Sequence, residues 1–168
     1  MIKIGKNISE FSVYSCQPKT RDELKYIIDD RISKEGPNCD LNDIDTSLIE
    51  DMNYLFYKSK FNGDISRWDV SNVQNMDMMF YKSCFNGDIS KWNTSKVENM
   101  NNMFSGSKFN GDISNWNVSN VKDMGWMFVD SDFNHNISNW KIDKDCYTMR
   151  MFIKCHIKEE YKPKSLQK

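Results

Sequence analysis

FNGDISRWDV, residues 61–70, returns as FNGDISKWNT at 85–94, as FNGDISNWNV at 109–118 and, altered, as FNHNISNWKI at 133–142. The interval is 24 residues each time. A fixed period of about 20 to 50 residues marks a stacked repeat array, in which each unit covers its neighbour's apolar face. Extending the period backwards finds a degraded unit at Pro37–Lys60, so five units run from Pro37 to His156. The expected organisation is a cap over 1–36, the array over 37–156 and a charged tail over 157–168.

Positions that hold one residue type in every unit are the ones stacking should bury. Phe61, Phe85, Phe109 and Phe133 form one file; Ile65, Ile89, Ile113 and Ile137 a second; Trp68, Trp92, Trp116 and Trp140 a third. Met79, Met103, Met127 and Met151 run beside Phe56, Phe80, Phe104, Phe128 and Phe152. The spacing from Val73 to Met76, Met79 and Phe80 predicts a short helical or 3₁₀ turn, and the GDIS stretch a brief parallel strand. Asn62-Gly63 and its copies predict a tight turn in which glycine takes a positive φ, and His135, replacing that glycine, is expected in the left-handed region. The Asn62, Asn86, Asn110 and Asn134 amides are read as bonding the neighbouring coil's backbone, and Asp64, Asp88 and Asp112 as turn caps.

The ends need covers, because an array leaves a bare core at each terminus. Thr20 to Glu23 has the capping-box form, and Leu24, Ile27, Ile28 and Ile32 follow at helical spacing until Gly36-Pro37, predicting an amphipathic helix over 20–35. Ile2, Ile4, Phe11 and Val13 suggest a small strand in the same cap. The segment from Lys158, rich in charge and interrupted by Pro163, is expected to fray.

The recurrent FNGDISxW(D/N)VSxVxxMxxMF resembles the BspA-like leucine-rich-repeat family over about Asp40 to Phe152. The resemblance implies an α/β fold: a single right-handed leucine-rich-repeat-like solenoid of about five 24-residue coils, each a strand and a helical turn, with an N-terminal helical cap. It also implies attachment to host proteins or to other cells, as in bacterial surface proteins.

Composition narrows the function classes. A net charge of −1 gives no general attraction to nucleic acid or anionic membrane, and no apolar run is long enough to span a bilayer. No secretory leader is legible, so the chain as written is expected in the cytoplasm, or at the cell surface if it is a mature fragment. Five cysteines, an odd number without CxxC spacing, argue against a disulfide framework or a zinc site. Cys155 falls in a small-residue packing file, whereas Cys84 and Cys146 fall in files expected to face solvent. Two histidines, no nucleophile motif and no phosphate-cradling loop leave no catalytic residue to name, and neither a cofactor nor a metal is expected.

Variable files are where a partner could be chosen. One reads Tyr54, Met78, Asn102, Trp126, Arg150; another, three residues later, Tyr57, Tyr81, Ser105, Val129, Ile153. Tyr, Trp, Met and Arg are the types enriched at protein interfaces. Tyr54, Tyr57, Met78, Tyr81, Trp126 and Arg150 are therefore the candidate partner-binding residues. Two polar files, from Asp43 to Asn139 and from Asp45 to Lys141, offer a second candidate surface. The expected function is noncatalytic protein–protein interaction by a monomer; the alternative is a small cytosolic inhibitor from a phage or mobile element that blocks a host or defence protein.

Overall fold

The computed structural model describes residues 14–168, and the strand expected around Ile2 to Val13 lies outside the described residues except for Tyr14 beyond it. Within each repeat the backbone is bent by short polar side chains that accept the N–H two residues ahead. Asp64 accepts from Ser66 at 2.8 Å, Asp69 from Ser71 at 2.9 Å and Asn75 from Asp77 at 3.0 Å. The same three corners recur at Asp88, Asn93 and Asn99, and at Asp112, Asn117 and Asp123. Such corners withdraw backbone donors from any strand ladder and turn the chain instead.

Between corners, alternate N–H groups serve two different partners. Met52, Tyr54, Phe56 and Lys58 donate to the carbonyls of Asn75, Asp77, Met79 and Tyr81 in the next coil, at 2.7 to 3.0 Å. Leu55, Tyr57 and Ser59 donate three residues back within their own coil. The pattern repeats from Met76, Met100 and Met124, always to the carbonyl 23 residues ahead. It requires left-handed residues at Tyr54 and Lys58, φ 56° and 52°, and at the matching sites of later coils, among them Met78, Asn102, Trp126 and Arg150. Elsewhere the direction reverses: Gln74 donates to Glu50, Cys84 to Ser59 and Asn86 to the Asn62 amide oxygen.

This overturns the expected α/β leucine-rich-repeat-like solenoid with a strand and a helical turn in every coil. Among the described residues the only α-helix is α1, Arg21–Glu35, with two 3₁₀ turns near the C-terminus, and there is no extended strand. Pairing is limited to isolated parallel bridges, such as Asp51 with Asn75 and Asn75 with Asn99. The VxxMxxMF segment cannot be helical because its alternate N–H groups leave the coil, and a left-handed residue every four positions breaks helical geometry. The GDIS segment cannot extend because its aspartate makes a corner.

The apolar files do meet like on like. Trp68 and Trp92 stack with ring centres 6.4 Å apart and planes 3° from parallel, and Trp92 and Trp116 repeat this at 6.4 Å. Phe56, Phe80, Phe104, Phe128 and Phe152 follow one another at 5.4 to 5.7 Å. In the tryptophan file each indole N–H donates to a backbone carbonyl 27 residues earlier: Trp68 to Leu41, Trp92 to Ile65, Trp116 to Ile89 and Trp140 to Ile113. A buried ring is thereby used both as apolar filling and as a second donor to a carbonyl that also accepts a backbone N–H three residues ahead.

At the first end, α1 is N-capped by Thr20, whose hydroxyl accepts the Glu23 N–H, and it buries Leu24 and Ile28. Arg31 fixes its far end through Asp43, at 3.0 Å, and the Asp40 carbonyl. At the other end the tail does not fray over its whole length: Ile157 and Pro163 are buried, and the Ile137 N–H donates to the Tyr161 carbonyl at 2.9 Å. Tyr161 and Leu166 pack on the core, which no charge count of the tail reveals.

The repeat glycines play a different part from the one expected. Gly63, Gly87 and Gly111 are not in the left-handed region, and neither is His135. A Cβ on Gly63 would lie 1.9 Å from the Cys39 carbonyl oxygen, whereas on Gly111 the preceding coil's backbone is 3.6 Å away. Close approach is what demands glycine: the preceding coil's carbonyl recedes from 1.9 to 3.2 to 3.6 Å along the stack, while the unit's own Phe ring stays 2.8 to 2.9 Å from the added Cβ. Gly63→Ala should therefore destabilise by roughly 1–3 kcal/mol and Gly111→Ala by clearly less, read from urea midpoints. Trp92→Ala should cost about 3–5 kcal/mol through the cavity it leaves. Trp92→Phe should cost about 0.5–1.5 kcal/mol through the lost indole bond, because the Ile65 carbonyl keeps the Trp68 N–H as its other donor.

Candidate interaction surface

The turn geometry decides which side chains face out. In the coil around Met52–Ser59, Leu55 and Phe56 point into the stack while Tyr54 and Tyr57 stand 38% and 37% exposed. Their rings lie 5.4 Å apart, and Tyr57 stacks on Tyr81 of the next coil at 5.1 Å, 8° from parallel. Lys58 sits over the Tyr57 ring at 5.0 Å and Lys82 over Tyr81 at 5.3 Å. Three tyrosines framed by two lysines thus form one continuous group, with Met78 half-buried in the Tyr54 file.

The next coil interrupts this surface with Asn102, buried Ser105 and Gly106. Beyond it Trp126, half-buried, meets Tyr147 at 5.7 Å, and the Tyr147 hydroxyl lies 3.1 Å from the Met149 sulfur. The six residues singled out from the sequence therefore fall into separate places: Tyr54, Tyr57, Met78 and Tyr81 together, Trp126 apart with Tyr147, and Arg150 exposed in the last coil. Tyr147 escaped the column reading because it occupies the corner file of Asp51, Asn75, Asn99 and Asp123, where an aromatic residue is out of register.

The polar files are largely consumed by structure. Asp45, Asp69, Asn93 and Asn117 cap Ser47, Ser71, Ser95 and Ser119, and Asp43 pairs with Arg31. Asn62, Asn86 and Asn110 each accept the N–H of the asparagine one coil later, at 2.7 to 2.9 Å. All five cysteines are free thiols. Cys84 is exposed, but Cys146 is half-buried against expectation, and burial pushes its thiol up to about 11. Among the described residues no three His, Cys, Asp or Glu side chains are grouped to hold a metal ion, and no helix is long and apolar enough to cross a membrane.

Two stretches, 28–108 and 83–161, match a family described as "Mycoplasma protein of unknown function, DUF285". No curated protein and no solved structure is matched.

The corner carboxylates carry a pH dependence. The Ser90 and Ser114 backbone N–H groups hold the Asp88 and Asp112 carboxyls below the usual aspartate range. Their contribution is whole above that range and is lost as the pH falls through the lowered folded-state values. Burial drives Asp77 the opposite way, aided by Asp123 and Asp51, so variants are more informative than the whole profile. Asn136 already fills the same corner by accepting the Ser138 N–H at 3.0 Å. Asp88→Asn with Asp112→Asn should keep the fold at pH 7 and show a shallower loss of melting temperature below about pH 4 than the parent.

Proposed function

The chain belongs to the DUF285 family, and we propose that it is a noncatalytic protein-binding repeat module of the BspA-like sequence type. The single observation carrying this reading is the solvent-facing tyrosine group. Three aromatic rings, Tyr54, Tyr57 and Tyr81, are held outside a stack whose inward files are filled by other aromatic and aliphatic side chains. Tyrosine offers a large amphipathic contact area with little rotamer freedom to lose, and the tightly bonded turns beneath it order the rings before a partner arrives. The small-residue coil at Asn102–Gly106 separates this group from Trp126 and Tyr147, leaving two aromatic contact points along one side of the stack.

The BspA-like character rests on the FNGDISxW motif and not on strand geometry, so it bears on the kind of role, attachment to another protein, more than on architecture. Tyr57→Ala, Tyr81→Ala and Trp126→Ala combined should abolish capture of a specific protein that the parent chain retains from cell extract, identified by mass spectrometry. Circular dichroism and the melting curve should remain nearly those of the parent. A variant that keeps the captured protein, or that unfolds, overturns the assignment of these rings to binding.

A further inference from the structure

Every coil but the last hands its forward-pointing N–H groups to a neighbour. Met124, Trp126, Phe128 and Asp130 donate to the carbonyls of Tyr147, Met149, Met151 and Ile153, at 2.8 to 3.0 Å. The equivalent groups of the last coil, the N–H of Thr148, Arg150, Phe152 and Lys154, have no partner among the described residues. The tail covers the other half of this end: Lys158 donates to the Asn134 amide oxygen, and the Ile137 N–H bonds Tyr161. Over the open half the Lys162 ammonium lies 5.7 Å from the Phe152 ring, and Met149 and Ile153 stand 54% and 45% exposed.

We infer that this edge is a docking site for an acidic segment of a partner protein, which lies down on it as one further coil. Four donors at alternate residues fit carbonyls at alternate residues, and the stack itself shows repeatedly how such an edge is filled. This is edge addition in the manner of an extended peptide joining an exposed sheet edge, with backbone bonds for affinity and side chains for choice.

Charge selects the partner. Residues 141–168 carry eight Lys or Arg against four Asp or Glu, a net of +4 in a chain whose total is −1. Arg150 and Lys154 lie in the same exposed row as the free N–H groups. Across coils, like register already pairs opposite signs, with Lys108 to Asp132 at 3.1 Å and Lys122 to Glu98 at 2.7 Å. A second copy is the poorer occupant. The complementary carbonyl edge lies on the first coil, where α1 is packed and Arg21 already donates to the Asn53 carbonyl.

The probe is a synthetic peptide, DMGWMFVDSD, copied from residues 123–132. Placed one coil beyond the end, its carbonyls at the positions of Asp123, Gly125, Met127 and Val129 face the four donors, and the aspartate copied from Asp130 faces Lys154. In the free protein the amide protons of Thr148, Arg150, Phe152 and Lys154 should exchange rapidly with solvent, unlike those of Met124, Trp126, Phe128 and Asp130. Peptide, but not its scrambled sequence, should shift and protect these four in amide NMR spectra. Arg150→Glu with Lys154→Glu should weaken the peptide about tenfold at low salt, as expected for two lost charge contacts of roughly 0.7 kcal/mol each. Tyr57→Ala with Tyr81→Ala should leave it unchanged, so the edge and the tyrosine face are tested separately. Absence of shifts at excess peptide overturns the inference. So does protection of the four amides in the free protein that grows with its concentration, which would assign the edge to a second copy.

Discussion

The structure depends on one constraint: a turn-built coil has no helix or strand of its own to absorb its backbone polar groups, so the neighbouring coil must absorb them. An unpaired buried N–H or carbonyl costs free energy comparable to a lost hydrogen bond. From Met52 to Ser59 the donors divide between the next coil and the coil's own turns, and at Glu50 the bonding runs the other way, its carbonyl accepting the Gln74 N–H. Neighbours are therefore tied in both directions, and a coil that slipped by one residue would lose both sets. A spacing of 24 residues is consequently kept through four consecutive copies of the FNGDIS-type segment.

Side chains follow from that register. Once backbones repeat at a fixed offset, identical residues stand above one another, and flat rings fill the interval best, as Trp68 on Trp92 and Phe85 on Phe109 do. The asparagine file uses the same repeat for polar groups, each amide oxygen holding the next coil's N–H. Left-handed residues are the cost of the arrangement, roughly 1–2 kcal/mol each for a side chain other than glycine. Gly106 occupies one such position, φ 66°, where Lys58, Lys82, Asp130 and Lys154 stand in other coils.

Legibility in the sequence followed the same division. The period, the inward Phe, Ile, Trp and Met files, the α1 helix with its Thr20 cap, the turn caps at Asp64, Asp88 and Asp112 and the inter-coil bonds of the Asn62 file could be read because each shows as a residue type recurring in register. The corners at Asp69, Asn75 and their copies could not, since those files change residue type along the stack. The secondary structure inside a coil could not. The Val-Met-Met-Phe spacing suits a helical face, and only the competition of Asx corners and inter-coil bonds for the same N–H groups excludes a helix. Glycine at 63, 87 and 111 was legible as a requirement but not as to cause, since a close carbonyl and a positive φ select the same residue. Of the candidate surface, the tyrosine group was legible from its file, whereas Tyr147 and the unpaired last-coil donors emerge only once the coils are placed in space.

The most direct measurement of this account is the partner of individual amide protons, observed by scalar coupling through the hydrogen bond in an isotope-labelled sample. Coupling should join the Met78 nitrogen to the Asn101 carbonyl carbon and the Phe80 nitrogen to that of Met103, across adjacent repeats. Coupling of Phe80 to Met76, four residues earlier in its own repeat, would contradict it, because that is the bond of a helix and leaves neighbouring coils nothing to hold.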